Sequence, residues 1–452
     1  MEKRLHVHFI GLGGIGISAL ARYYLSQKCQ ISGSDLKSSE ITDFFQQLGA
    51  QIIIGQPSQA NLNLIKKADL VVYSPAIPKT NQEFKEAKKL KKKILSYPQA
   101  LGELTKDKYT IAVSGTHGKS TTTALLGWIL VKAGLDPTVV VGTKVQDFGD
   151  SNFRLGRSNY WVIEADEYQA SFLNYWPQMI ILTNIAKDHL DYYKNFSNII
   201  KAFKKFITHL PPDGFLVLNY DDKNIQKYLM PWLKQNRHYH SKTINVHYYS
   251  LQDQAALKVK QSLTIPGWHN VANALAAKTA AQLLKVPDRY IYSALKSYQG
   301  AWRRFETHKI KINQKPLTLI LDYAHHPQEI EATYLAAKEK YPHQKIYIIF
   351  QPHQRQRTKY LFTDFVKVFK RLEGVEIIII PIFEVAGRER IVKAIDVSSE
   401  QLVEAINKPT VKFMNKSEIM RFLINNLNGG EVVIIMGAGD IYNFGLKLLD
   451  YK

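Results

Sequence analysis

Short runs of apolar, β-branched residues alternate along this chain with longer stretches in which apolar positions recur every three or four residues. LHVHFIG precedes a helical pattern over Ile15–Lys28, YTIAVSG one over Ser120–Ala133, and LTLILDY one over Pro327–Lys340. Runs that stay apolar at successive positions predict strands covered on both faces, and their alternation with helices is the βα pattern of parallel sheets. DLVVYSP, YWVIEAD, MIILTNI, KIYIIFQP, VEIIIIP and EVVIIMGAG are further strands of this kind. The chain carries no solenoid-period repeat and no low-complexity tail.

Two interruptions divide the pattern. The Lys-dense KEAKKLKKK (Lys85–Lys93) and the segment after it separate two glycine-rich strand-turn-helix units, which predicts a boundary near residue 105. RRFE, followed by the polar KINQKP turn and a new series of βα units, predicts another near residue 306. The expected fold is therefore α/β in three domains: a Rossmann-like N-terminal domain over 1–105, a central P-loop ATPase domain with a parallel sheet over 106–306, and a Rossmann-like C-terminal domain over 307–452. A length of 452 residues fits that division.

Composition narrows the picture without deciding it. With 45% hydrophobic and 22% charged residues the chain has the apolar surface to build several cores. The formal charge of +21 suits nucleic acid, a membrane surface or small anionic substrates, and equally a Lys-rich proteome. Cys29, the single cysteine, excludes an intramolecular disulfide and any multi-cysteine metal site, and reads as a small hydrophobe at a helix end. No run approaches the ~18 apolar residues of a membrane span, and the start lacks the apolar core of a signal peptide, so a soluble cytoplasmic protein is expected.

Chemistry concentrates at strand ends. Gly115-Thr116-His117-Gly118-Lys119-Ser120-Thr121 follows YTIAVSG and opens a helix. Backbone N–H groups of such a turn cradle phosphate oxygens, Lys119 reaches a terminal phosphate, and the hydroxyl of Ser120 or Thr121 suits Mg2+. The common P-loop would have glycine where Val113 stands, so this is a shorter variant. At the N-terminus Gly11, Gly13, Gly14, Ile15 and Gly16 form a second glycine turn between strand and helix, with Asp35 ending the next strand. That turn predicts a pyrophosphate ligand, present alike in NAD, FAD and UDP-sugars. Glu164, Asp166 and Glu167 end one strand, and Asp188, His189 and Asp191 follow another. The C-terminal third adds Arg303, Arg304 and Glu306, then Asp322, Tyr323, His325 and His326, then His353, Arg355 and Arg357. Cations in such clusters suit bidentate recognition of carboxylates and phosphates.

From HFIGLGGIGISALA and SGSD through AVSGTHGKSTTT, EADE, LTNIAKDHLD, GWHNVANALAA, RRFE, DYAHHP and FQPHQRQRT to MGAGDI, these motifs resemble, in order and spacing, the Mur ligases of peptidoglycan precursor synthesis. The resemblance is to the branch that joins L-alanine to UDP-N-acetylmuramate, with ATP and Mg2+. It implies that Gly115 to Thr121 bind ATP phosphates, that Lys119 lies on the transferred group, and that Ser120, Glu164 and His189 hold magnesium. Asn270 and Asn273 would contact the nucleotide, Arg304 a phosphate and Asp322 the ribose. Gly11, Gly13, Gly14, Ile15, Gly16 and Asp35 would bind the UDP-sugar, and Tyr323, His325, His353 and Arg357 the amino acid. It further implies a monomer or homodimer with no nucleic-acid or membrane partner. One departure stands out: the family pattern Arg-Tyr-Thr-Arg-Thr after QPH reads Gln354-Arg355-Gln356-Arg357-Thr358 here, displacing a cation by one position.

Three other readings compete. A nucleic-acid-dependent ATPase would use the +21 charge but has no recognisable binding module. An NAD-dependent dehydrogenase would explain GLGGIG and Asp35 while leaving GTHGKST without a job. A recycling ligase that attaches a preformed tripeptide to the same UDP-sugar shares the GTHGK turn and an HHP motif.

Overall fold

The computed structural model of the chain describes residues 4–236, 244–384 and 397–451. Three sheets organise it. β1 (His6–Ile10), β2 (Gln30–Asp35), β3 (Gln51–Ile54), β4 (Leu70–Tyr73) and β5 (Lys93–Ser96) form an all-parallel sheet in the order β3-β2-β1-β4-β5. The next comprises β6 (Tyr109–Ser114), β7 (Thr138–Val145), β8 (Ser151–Arg154), β9 (Tyr160–Glu164), β10 (Met179–Leu182), β11 (Phe215–Asn219) and β12 (Asn245–Tyr249), ordered β12-β11-β10-β6-β9-β7-β8. The last comprises β13 (Glu306–Ile312), β14 (Lys315–Asp322), β15 (Ile346–Phe350), β16 (Val375–Ile379), β17 (Val411–Phe413) and β18 (Val432–Met436), ordered β13-β14-β18-β15-β16-β17.

In the first two sheets the glycine turns leave β1 and β6, the strands from which the order runs outward in both directions. That is the switch point at which open parallel sheets bind ligands. The strands expected from apolar runs form, and both faces are covered. In β15, Ile346, Ile348 and Phe350 enter one core while Tyr347 and Ile349 enter the core on the opposite face.

Pairing departs from the all-parallel expectation at two edges. β7 pairs with β8, and β13 with β14, in antiparallel fashion. In the second case KINQKP is a hairpin: Asn313 and Gln314 both take positive φ, the backbone a tight reversal needs. Helix ends shift by a residue or two. The first helix, Ile15–Ser26, stops before Lys28, which turns left-handed, and the Cys29 N–H closes the end on the Tyr24 carbonyl. The helix after β6 spans Lys119–Lys132 because Gly118, left-handed at φ 82°, is its N-cap.

The chain falls into two compact units, Met1–Ala186 with Ser197–Ser262 and Ala272–Tyr298, and Lys187–Phe196 with Leu263–Val271 and Gln299–Lys452. Within the first, Gly102 on the helix Tyr97–Thr105 sits so close to the Asn174 backbone carbonyl that a Cβ would collide with it. Gly102→Ala should therefore cost about 1–3 kcal/mol of stability in urea unfolding, because backbone rather than a side chain would have to move. An unchanged midpoint would show that the helix yields freely.

Candidate active site

The GTHGK turn is held by the loop that leaves β10. The N–H groups of Thr116 and His117 donate to the Asn184 carbonyl and side-chain oxygen at 3.1 and 2.9 Å. Thr183 and Asn184 side chains donate back to the His117 carbonyl. The Thr116 hydroxyl accepts from Ala186 N–H at 2.8 Å. Thr116 and His117 thus shape the turn with their amides already engaged. The donors with no intrahelical partner are those of the first helical turn, Lys119, Ser120 and Thr121. Gly115 and Gly118 carry positive φ, and a Cβ would strike Thr183 at the first and Asn273 at the second.

Lys119 lies back across this turn. Its Nζ donates to the carbonyls of Gly115 and Thr116 at 2.7 and 3.2 Å and to Glu167 at 2.7 Å. Burial works against the ammonium, but Glu167, Asp166 and Glu164 overcome it and hold its pKa above the ordinary lysine value. Burial pushes the Glu167 carboxyl up to about 8 even with Lys119 pulling it down. Beside them Glu164 accepts from Ser120 Oγ at 3.0 Å and from Gly142 N–H at 2.6 Å, and burial raises its pKa too.

At the N-terminal turn, Gly11 N–H and Leu12 N–H donate to the Ser34 carbonyl at 2.9 and 3.0 Å. Gly13 N–H donates to Asp35 Oδ2 at 2.9 Å, and Lys37 N–H to Oδ1 at 3.3 Å. Asp35 therefore braces the turn, which adds a structural job to the UDP-sugar contact expected of it. Gly14 is the extended N-cap of the first helix, Gly16 admits the Tyr97 ring, and the Ile15 carbonyl accepts from Asn152 of β8.

A third cluster belongs to the second unit. Arg357 donates from Nε and Nη2 to the two oxygens of Asp188 at 3.1 and 3.4 Å, and from Nη1 to His353 Nδ1 at 3.2 Å. Burial would raise the Asp188 carboxyl, but Arg357 and then His189, His326 and His325 hold it well below the usual range. His325 stands between Tyr323, 5.2 Å away ring to ring, and His353, 5.9 Å away. The N–H groups of His325 and His326 donate to Glu329, which also lies 3.8 Å from Arg304. Asp322 accepts from Phe305 N–H at 2.8 Å and Ala324 N–H at 2.7 Å, and burial pushes it up to about 6. It pins the RRFE turn, where Arg303 and Phe305 take positive φ. The Asn270 side chain donates to the Pro266 carbonyl at 2.7 Å.

Three family models match: "Mur ligase family, catalytic domain" over 6–109, "Mur ligase middle domain" over 113–281 and "Mur ligase, glutamate ligase domain" over 303–439. A Clostridium botulinum protein named UDP-N-acetylmuramate–L-alanine ligase is 40% identical over 457 residues, spanning 98% of this chain and 97% of the relative. The chain belongs to the Mur ligase family. The solved UDP-N-acetylmuramate–alanine ligase of Thermotoga maritima superposes with a TM-score of 0.77 at 26% identity, covering 99% of each chain. A murein peptide ligase of Psychrobacter arcticus shares the fold at TM-score 0.68 and 22% identity, covering 99% of this chain and 98% of that one.

In this Mur ligase the two arginines of the displaced pattern have different partners. Arg355 donates to Glu384 and to the Val397 carbonyl, whereas Arg357 reaches His353 and Asp188. Gln354, at φ 68°, starts the short helix Arg355–Tyr360 that turns them apart. Sequence reasoning missed Asn184, Thr183 and Asn152, and did not pair Glu167 with Lys119. The TN dipeptide right after a buried strand was the available signal. The cleft lined by Asp188, His189, Gln354 and Arg357 offers about 30 Å3, room for a water molecule rather than an amino acid.

Burial lowers the His325 pKa to about 4, with Glu329 opposing and Arg357 assisting. A histidine depressed when folded is neutral there and takes up a proton on unfolding below its ordinary value of 6.5. Its contribution to stability is complete above pH 6.5 and drains as pH falls toward 4. Between pH 7 and pH 5 the wild type should lose about 2 kcal/mol through this residue. His325→Gln should flatten that part of the denaturation profile, and an equally steep profile would refute the assignment.

Proposed function

We infer that this Mur ligase joins L-alanine to UDP-N-acetylmuramate, with cleavage of ATP to ADP and phosphate. The supporting observation is its 40% identity, over 98% of the chain, to relatives carrying that name. Two glycine turns at the switch points of two different sheets agree with it, since the reaction brings together two phosphate-bearing substrates. We propose the domain division 1–105, 106–306 and 307–452, and a cytoplasmic location. Among the described residues no helix is long and apolar enough to cross a membrane.

A carboxylate resists nucleophiles, so amide formation begins with activation. In this reading the lactyl carboxylate attacks the γ-phosphorus, the bond to ADP breaks, and an acyl phosphate forms. The alanine amine then attacks the acyl carbon, phosphate departs and the nitrogen loses a proton. The amides of Lys119, Ser120 and Thr121 receive the phosphate oxygens, and Lys119 leaves Glu167 to neutralise the moving group. Burial already raises the Glu167 carboxyl against the pull of Lys119, so departure of the ammonium favours its neutral form further. Asn273 backs Gly118, Asn270 and Asp322 serve the nucleoside, and Arg304 a phosphate. Tyr323, His325, His353 and Arg357 orient alanine. Ser120 and Glu164 are hard oxygen donors 3.0 Å apart, and a carboxyl raised by burial gains from a cation, so the pair fits Mg2+. His189 joins them by resemblance. Magnesium bound there would offset phosphate charge.

ADP release should require UDP-N-acetylmuramate and rise strongly when L-alanine is added. Lys119→Ala should lower turnover by at least about two orders of magnitude in a folded protein. Residual activity within about tenfold of wild type would remove Lys119 from its role. Faster coupling of L-alanyl-γ-D-glutamyl-meso-diaminopimelate than of L-alanine would transfer the chain to the recycling ligases.

A further inference from the structure

Phosphoryl transfer makes no use of a buried polar chain beneath the N-terminal glycine turn. His6 and His8 of β1, and Ser32 and Ser34 of β2, alternate along paired strands and so share one face of the first sheet. That face otherwise buries Ile10 against Ile65, Ala68 and Ala87. Glu83, on the helix Gln82–Lys89, reaches across it. Its Oε2 lies 2.9 Å from His8 Nε2, and its Oε1 accepts the Ser34 hydroxyl at 2.7 Å. Ser32 Oγ lies 2.8 Å from both His8 Nδ1 and His6 Nε2. Glu83 is 1% exposed and His8 0%.

Both oxygens of the Glu83 carboxyl are thus occupied, one by the Ser34 hydroxyl that donates to it and the other by the His8 ring nitrogen. Apolar side chains of equal volume would fill this layer without the cost of desolvating polar groups. What the network adds is a fixed position for the end of β2. The Ser34 carbonyl carries the N–H groups of Gly11 and Leu12, and the adjacent Asp35 carries that of Gly13. Three consecutive residues of the turn hang on two residues of β2, and Glu83 anchors the first of those two from behind.

We propose that Glu83 is a positioning residue for the sugar-nucleotide pocket: through Ser34 it sets the glycine turn and hence the affinity for UDP-N-acetylmuramate. The proposal rests on the reading that this turn binds the UDP-sugar. Its strand, helix and turn are far apart in sequence, and Glu83 carries no phosphate-binding motif of its own.

Calorimetry on the full-length protein tests it, with UDP-N-acetylmuramate titrated into wild type, Glu83→Gln and Ser34→Ala. Both variants should bind about tenfold more weakly, the scale of one charge-assisted hydrogen bond, with ATP affinity and saturated turnover held within about twofold. Glutamine puts an NH2 group in place of one carboxyl oxygen, so one of the two contacts, to Ser34 or to His8, loses its acceptor. Ser34→Ala leaves the Glu83–His8 pair intact and carries the test if Glu83→Gln does not fold. Wild-type affinity in folded variants would overturn the proposal. Wild type that binds no UDP-N-acetylmuramate would instead overturn the reading of the pocket.

Discussion

Buried donors have to be kept satisfied by the protein itself, and much of this structure follows from that constraint. A buried ammonium or orphaned N–H left without a partner costs several kcal/mol, on the order of a domain's whole net stability. The chain answers with internal acceptors. Glu167 and two carbonyls hold Lys119, Asn184 holds the amides of Thr116 and His117, Asp35 holds Gly13 N–H, and Asp188 holds Arg357. Each acceptor follows the C-terminal end of a strand within a few residues, or, for Asp35, closes the strand itself.

The acids are consequently more than metal-ligand candidates. Within EADE, Glu164 faces Ser120 and Gly142, while Glu167, three residues on, faces Lys119. Burial raises both carboxyls against the pull of the same ammonium, so the neutrality of this site depends on where Lys119 lies. At Asp188 the balance falls the other way, because a bidentate guanidinium outweighs desolvation. Carboxyl groups thus take opposite shifts according to the geometry of their partners.

Much of this was legible in the chain. Apolar runs and glycine turns located the strands, the helices after them and both glycine-rich turns, because burial on two faces and positive φ each restrict which residues can occur. Motif order identified the family. Helix ends, the two antiparallel pairs and the partners of the charged residues were not legible, and the reason is distance. Lys119 meets Glu167 across 48 positions, Arg357 meets Asp188 across 169, and Glu83 meets Ser34 across 49. Sequence determined which groups would need partners; only the packing of strands and helices decided which partner each received, since hydrogen bonds and desolvation act over ångströms in space and leave no periodic trace along the chain.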